Sequence, residues 1–116
     1  MNVFKNDIYP FTIWVNINED RNNTLSLFKN YYTGKLIEDV PKTDFVEPVV
    51  EVSTGAWGVL MIFTNESRLC HKTVTHETVH ALHYLLDQMG DKINGKETSA
   101  YLGGYIADCC IKSIKA

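Results

Sequence analysis

Basic charge is scarce in this chain and scattered where it occurs. The 116 residues carry 11 Lys and Arg against 14 Asp and Glu, a formal net charge of −3. Nucleic-acid binders gather Lys and Arg on one face, so a nucleic-acid partner is not expected. Long apolar runs are also missing. The longest, Val59-Leu60-Met61-Ile62-Phe63, falls far short of the ~20 residues that span a bilayer, so no membrane partner is expected either. The opening residues Met1-Asn2-Val3-Phe4-Lys5-Asn6-Asp7 have neither the basic start nor the apolar stretch of a secretion signal. There are only three cysteines, Cys70, Cys109 and Cys110, and the last two are adjacent. An odd number with poor pairing geometry predicts reduced thiols and a cytoplasmic protein. With three prolines and seven glycines, the chain has no linker, repeat or low-complexity tract. It reads as one domain over residues 1–116.

The apolar residues are patterned. Phe11, Ile13, Val15 and Ile17 alternate with Thr12, Trp14 and Asn16, as in a half-buried strand. Asn18 or Asp20 can cap the next element, in which Leu25, Leu27, Phe28, Tyr31 and Tyr32 recur at helical spacing until Gly34. Pro41 and Pro48 exclude regular structure locally. Val49 to Val52 reads as a second strand, residues 53–56 as a turn and Trp57 to Thr64 as a third strand, so the last two form a hairpin. From about Ser67 to Met89 the period is helical, with Val79, Leu82, Leu86 and Met89 on one stripe, Ala81 and Leu85 beside them and Gly90 as the stop. A last helix follows Gly95, with Ala100, Ala107, Ile111 and Ile114 on one side and Leu102, Ile106 and Cys110 nearby. The pair Gly103-Gly104 within it predicts another backbone passing close. The order strand, helix, strand, strand, helix, helix implies an α+β fold. A small mixed sheet of about three strands would pack against the two C-terminal helices.

Chemistry concentrates in His76-Glu77-Thr78-Val79-His80. With four His among 116 residues, shuffling the composition yields this H-E-x-x-H pattern about 0.01 times. Positions i and i+4 share a helix face about 6 Å apart, so two imidazoles there can bind one zinc ion. Glu77 lies about 100° round the helix from His76. There it can take a proton from water beside the metal without being a ligand. His83 is excluded as a third ligand by a helical rise of about 10 Å from His76, and His71 by its angle. Two acids downstream remain. Glu97 is the first, although Asn94-Gly95-Lys96-Glu97 also has the form of a capping box. Asp108 is the second, since an antiparallel return of the last helix would bring residues near Tyr105 and Asp108 level with the histidines.

His76-Glu77-x-x-His80 followed by Glu97 resembles the gluzincin branch of the zincin metallopeptidases. The segment Glu97-Thr98-Ser99-Ala100-Tyr101-Leu102-Gly103-Gly104-Tyr105 is similar to one in very small metallopeptidase-like proteins of bacterial and phage genomes. The resemblance runs from about Trp57 to Ile111. It implies a minimal zincin-like domain, with His76, His80 and Glu97 holding one Zn²⁺ and Glu77 as the base. The implied activity is hydrolysis of a peptide bond in a peptide or protein substrate. Tyr101 and Tyr105 could hydrogen-bond an oxyanion, or simply pack with a polar tip outward. Trp57 and Gly58 would contact substrate if the third strand were a sheet edge beside the metal. Apolar residues on both of its faces fit a covered strand as well. The rival reading is a non-catalytic zincin-like binding or assembly protein of a phage or mobile element.

Overall fold

The computed structural model describes residues 1–17, 20–38, 43–90 and 96–114. The strands are β1 (Asn2–Lys5), β2 (Thr12–Ile17), β3 (Phe28–Asn30), β4 (Phe45–Glu51) and β5 (Trp57–Phe63), and the helices are α1 (Arg21–Leu25), α2 (His71–Gln88) and α3 (Lys96–Lys112). The class is α+β, as expected. The sheet is mixed but has five strands, in the order β1-β2-β5-β4-β3, where three were expected. Only the β2–β5 pair is parallel.

The two additional strands are short ones at the edges. Asn2-Val3-Phe4-Lys5 has only two apolar residues, and pairing with β2 makes it a strand. Phe28-Lys29-Asn30 carries helical spacing, yet the helix before it lasts only five residues. Asp20 caps that helix by accepting from the Asn22 and Asn23 amides. Phe28 then enters the sheet opposite Glu51 and is fully buried, its ring 4.9 Å from that of Trp14. Tertiary pairing outweighs the local period here. Pro48 does not exclude a strand either. Its carbonyl accepts from the Tyr31 amide, on the side away from β5. Its missing N–H therefore falls outside the β4–β5 ladder. Pro41 and Asn18 lie outside the described residues, as do Asn94 and Gly95 of the capping-box reading.

Strand β5 sits in the middle of the sheet, between β2 and β4, so it is not the edge that the substrate-strand reading required. Both of its faces are covered, which explains its unbroken apolar run. Val59, Met61 and Phe63 join Ile13 and Val15 beneath α2 and α3. Leu60 and Ile62 join Trp14, Leu25, Phe28, Phe45 and Val49 on the other face. Trp14, on the face opposite Ile13 and Val15, fills this second core. No helix among the described residues is long and apolar enough to cross a membrane, and all three thiols are free.

Helix α2 runs back along β5. Gln88, near its end, donates to the carbonyl of Gly58 at the start of β5. Gly90, at φ 77°, then turns the chain. The deepest residues of α2 are Val74, Glu77, Thr78, Ala81 and Leu85, not the Val79-Leu82-Leu86-Met89 stripe. Val79 is 45% exposed. In α3 the buried set is Leu102, Ile106, Cys109 and Cys110, while Ile111 is exposed. Nothing approaches Gly103 or Gly104 within 4 Å of a built Cβ, so no backbone passes close there. The close approach is at Gly58 instead. A Cβ at that position would lie 1.8 Å from the carbonyl oxygen of Thr12 on β2.

Glycine substitutions separate these sites. Gly58→Ala should destabilise the fold by at least about 2 kcal/mol in urea unfolding, because the obstacle is backbone. Gly103→Ala and Gly104→Ala should each stabilise by about 0.5–1 kcal/mol through helix propensity. Equal and small effects at all three would contradict this packing.

Candidate metal centre

The first half of α2 lies beside the end of β5 and the beginning of β4. Asp44, the residue before β4, ties this corner together. Its Oδ1 accepts from the Thr64 amide at 2.9 Å, and its Oδ2 accepts from Arg68 Nε at 2.8 Å. The same carboxylate thus holds the end of β5 and the 3₁₀ turn Glu66–Arg68 that leads into α2. A cavity of about 210 Å³ opens between α2 and β4, lined by Asp44, Phe45, Val46, His76, Glu77, His80 and Tyr84.

His76, Glu77 and His80 each bring a ligand atom to this cavity, and those atoms lie within 4.8 Å of one another. The imidazole centroids are 4.9 Å apart. Both histidines are exposed, His76 to 67% of its side chain. Glu77 is on the packed stripe and only 5% exposed. Its Oε1 is 3.6 Å from His76 Nε2, too far for a hydrogen bond. Its Oε2 is buried with no partner.

Burial raises the proton affinity of Glu77 above the ordinary carboxylate range. The two imidazoles pull it down and Asp44 pushes it further up. A buried carboxylate with an orphaned oxygen is costly unless a proton or a cation compensates it. Two imidazoles at i and i+4 are the nitrogen donors that zinc accepts. The residues present therefore fit one zinc ion.

Glu97 is not part of this group. Helix α3 returns antiparallel to α2, and Cys110 near its end lies against Met61 and feels the charge of Glu77. Glu97 is 13 residues earlier in the same helix, about 20 Å along its axis. It is exposed, and so is Asp108, whose carboxylate binds Lys112 at 2.8 Å. Asp108 is on the right level but points outward.

Tyr101 and Tyr105 are carried to the other side of the molecule. Tyr101 accepts a hydrogen bond from Asn6 and packs on Tyr9, and Tyr105 meets Phe11 edge-on. Trp57 and Gly58 lie at the Gln88 end of α2, where Trp57 packs beside Tyr31. Gln88 is eight residues past His80, about 12 Å along the helix. Of the residues expected at the site, the structure brings together His76, Glu77 and His80. It adds Asp44 and Arg68, which carry no motif and arrive only through strand pairing and the turn before α2, and Tyr84, which the helical spacing places one turn beyond His80 on α2 itself. The chain matches no protein-family model, no curated protein and no solved structure.

Two measurements follow from this geometry. Zinc affinity should fall more than the ~10–100-fold expected for an outer partner in His76→Ala and His80→Ala, and stay at wild type in Glu97→Ala and Asp108→Ala. Loss of zinc in Glu97→Ala alone would contradict the placement of α3. The cysteines should also differ. The Thr73 amide and hydroxyl hold the exposed Cys70 thiol below its ordinary range, whereas burial pushes Cys109 up to about 11 and Cys110 up to about 12. Iodoacetamide at about pH 8 should label Cys70 first, because only thiolate reacts. Comparable rates at all three thiols in the folded protein would contradict this burial.

Proposed function

We propose that this protein is a zinc-dependent peptide hydrolase, in which His76 and His80 hold one metal ion and Glu77 is the base. The observation that carries the reading is the convergence of these three side chains on one cavity, with one carboxylate oxygen buried and unpartnered. Zinc bound there would polarise a carbonyl group and acidify water. Glu77, shielded from bulk solvent, then takes a proton from water and passes it to the leaving amine. Its raised proton affinity suits both transfers, since the carboxyl group holds the proton between them.

Strand β4 replaces β5 as the surface for an extended substrate. Strand β3 pairs with β4 only from Val49 to Glu51. Among the described residues no strand pairs with the outer side of Phe45 to Glu47, beside the cavity that Phe45 and Val46 line. An unpaired strand edge binds peptide backbone with little regard to side chains.

The high exposure of His76, with no third ligand besides Glu77 brought to the pair among the described residues, favours a second reading. A partner protein would complete the metal's ligands, and the chain would be a non-catalytic binding or assembly module. Glu77→Gln separates the two. It keeps the side-chain shape and should retain zinc, while cleavage of an unstructured peptide falls by about 100-fold or more. An equally active Gln variant would overturn the hydrolase reading. Zinc bound at one equivalent with no cleavage by the wild-type chain would favour the second.

A further inference from the structure

The cavity at the histidines continues into a larger cleft of about 460 Å³, which runs past His76 toward the start of α2. Its charges are sorted. The two acids, Asp44 and Glu77, have side chains only 5% and 7% exposed. The two bases, Arg68 and Lys72, are exposed. Arg68 binds Asp44 through Nε and keeps its remaining donors. Lys72 has no ion-pair partner among the described residues.

Helix α2 begins between these two bases. Its N-cap, Cys70, has no side-chain capping bond to the backbone N–H groups, and its thiol donates instead to the Thr73 hydroxyl at 3.5 Å. An uncapped helix start carries partial positive charge and free N–H groups. The Cys70 thiol lies at this start, its proton affinity lowered chiefly by the Thr73 amide. At the other end, the unpartnered Oε2 of Glu77 marks where the cleft calls for a proton or a cation. One ligand satisfies both ends if it places a reacting carbonyl near Glu77 and a negative group near Lys72.

The spacing selects the ligand. Cys70 precedes His76 by six residues, about 9 Å of helix. A metal–oxygen distance of about 2 Å plus about 3.5 Å per extended residue covers that gap with two residues. We propose that Lys72, Arg68 and the start of α2 bind the C-terminal carboxylate of a peptide, two residues beyond the bond placed at Glu77. The hydrolase would then trim chain ends. This assignment rests on the hydrolase reading for its meaning, but the carboxylate contact stands or falls by binding alone.

Binding to the zinc-loaded full chain is therefore measured by calorimetry, with an N-acetyl dipeptide as the free acid and as the C-terminal amide. The acid should bind about tenfold or more tightly than the amide, the scale of a charge-assisted contact. Lys72→Glu, an exposed change, should abolish or invert that preference. Equal binding of acid and amide overturns the proposal. So does an acid preference that survives Lys72→Glu, because the carboxylate would then sit on the metal. Cleavage of the same peptides is scored separately. A Lys72-dependent preference without turnover retains the carboxylate site and removes the hydrolase reading. Turnover indifferent to the acid or amide end does the reverse.

Discussion

The burial of Glu77 is the constraint on which the site depends. Helix α2 docks on the sheet through Val74, Thr78, Ala81 and Leu85, and Glu77 occupies a place on that stripe where an apolar side chain would stabilise the fold. An uncompensated carboxylate there costs several kcal/mol. The docking also fixes His76 and His80. One residue before and three after the buried acid, they emerge at the rim of the same face and point their rings at one cavity. Packing, rather than a loop, thus sets the positions of all three groups. A cation at the rim would relieve the burial of the acid and satisfy the imidazoles together.

The sheet supplies the rest of the wall. Strand β5 is central and carries no free edge, so it acts as the floor on which both layers rest. Its hairpin partner β4 leaves the second half of its outer edge to β3 and brings its first half to the cavity. Asp44 joins that beginning of β4 to the end of β5 and to the turn before α2. The same residue adds negative charge next to Glu77. One carboxylate therefore both holds the corner and shapes its field.

Much of this was legible in the sequence, and the failures have physical causes. The H-E-x-x-H spacing placed three side chains correctly because helix geometry alone decides i and i+4. The parent helix was found by its period, but the stripe was misjudged. Val79 and Ile111 looked like core residues by hydropathy, while the real inward face of α2 includes Glu77 and Thr78. A buried acid on the packed face breaks the apolar pattern that would reveal it. Glu97 was misplaced because no local pattern states how a helix returns. The antiparallel course of α3 over α2 sends its first turn to the far end, and Cys110, not Glu97, comes to Glu77. Strands β1 and β3 were missed because each is short and takes its conformation from its neighbour. Gly103 and Gly104 predicted a close approach that occurs at Gly58 instead, where the parallel partner β2 leaves no room for a side chain.

X-ray absorption at the zinc edge tests the central claim most directly, because it reads the ligands without reference to activity. The expected result is a light-atom shell at about 2.0–2.1 Å containing two imidazoles, completed by oxygen, with no sulfur even though Cys70 lines the neighbouring cleft. A sulfur scatterer at about 2.3 Å, or a shell without the outer scattering of histidine rings, would contradict it.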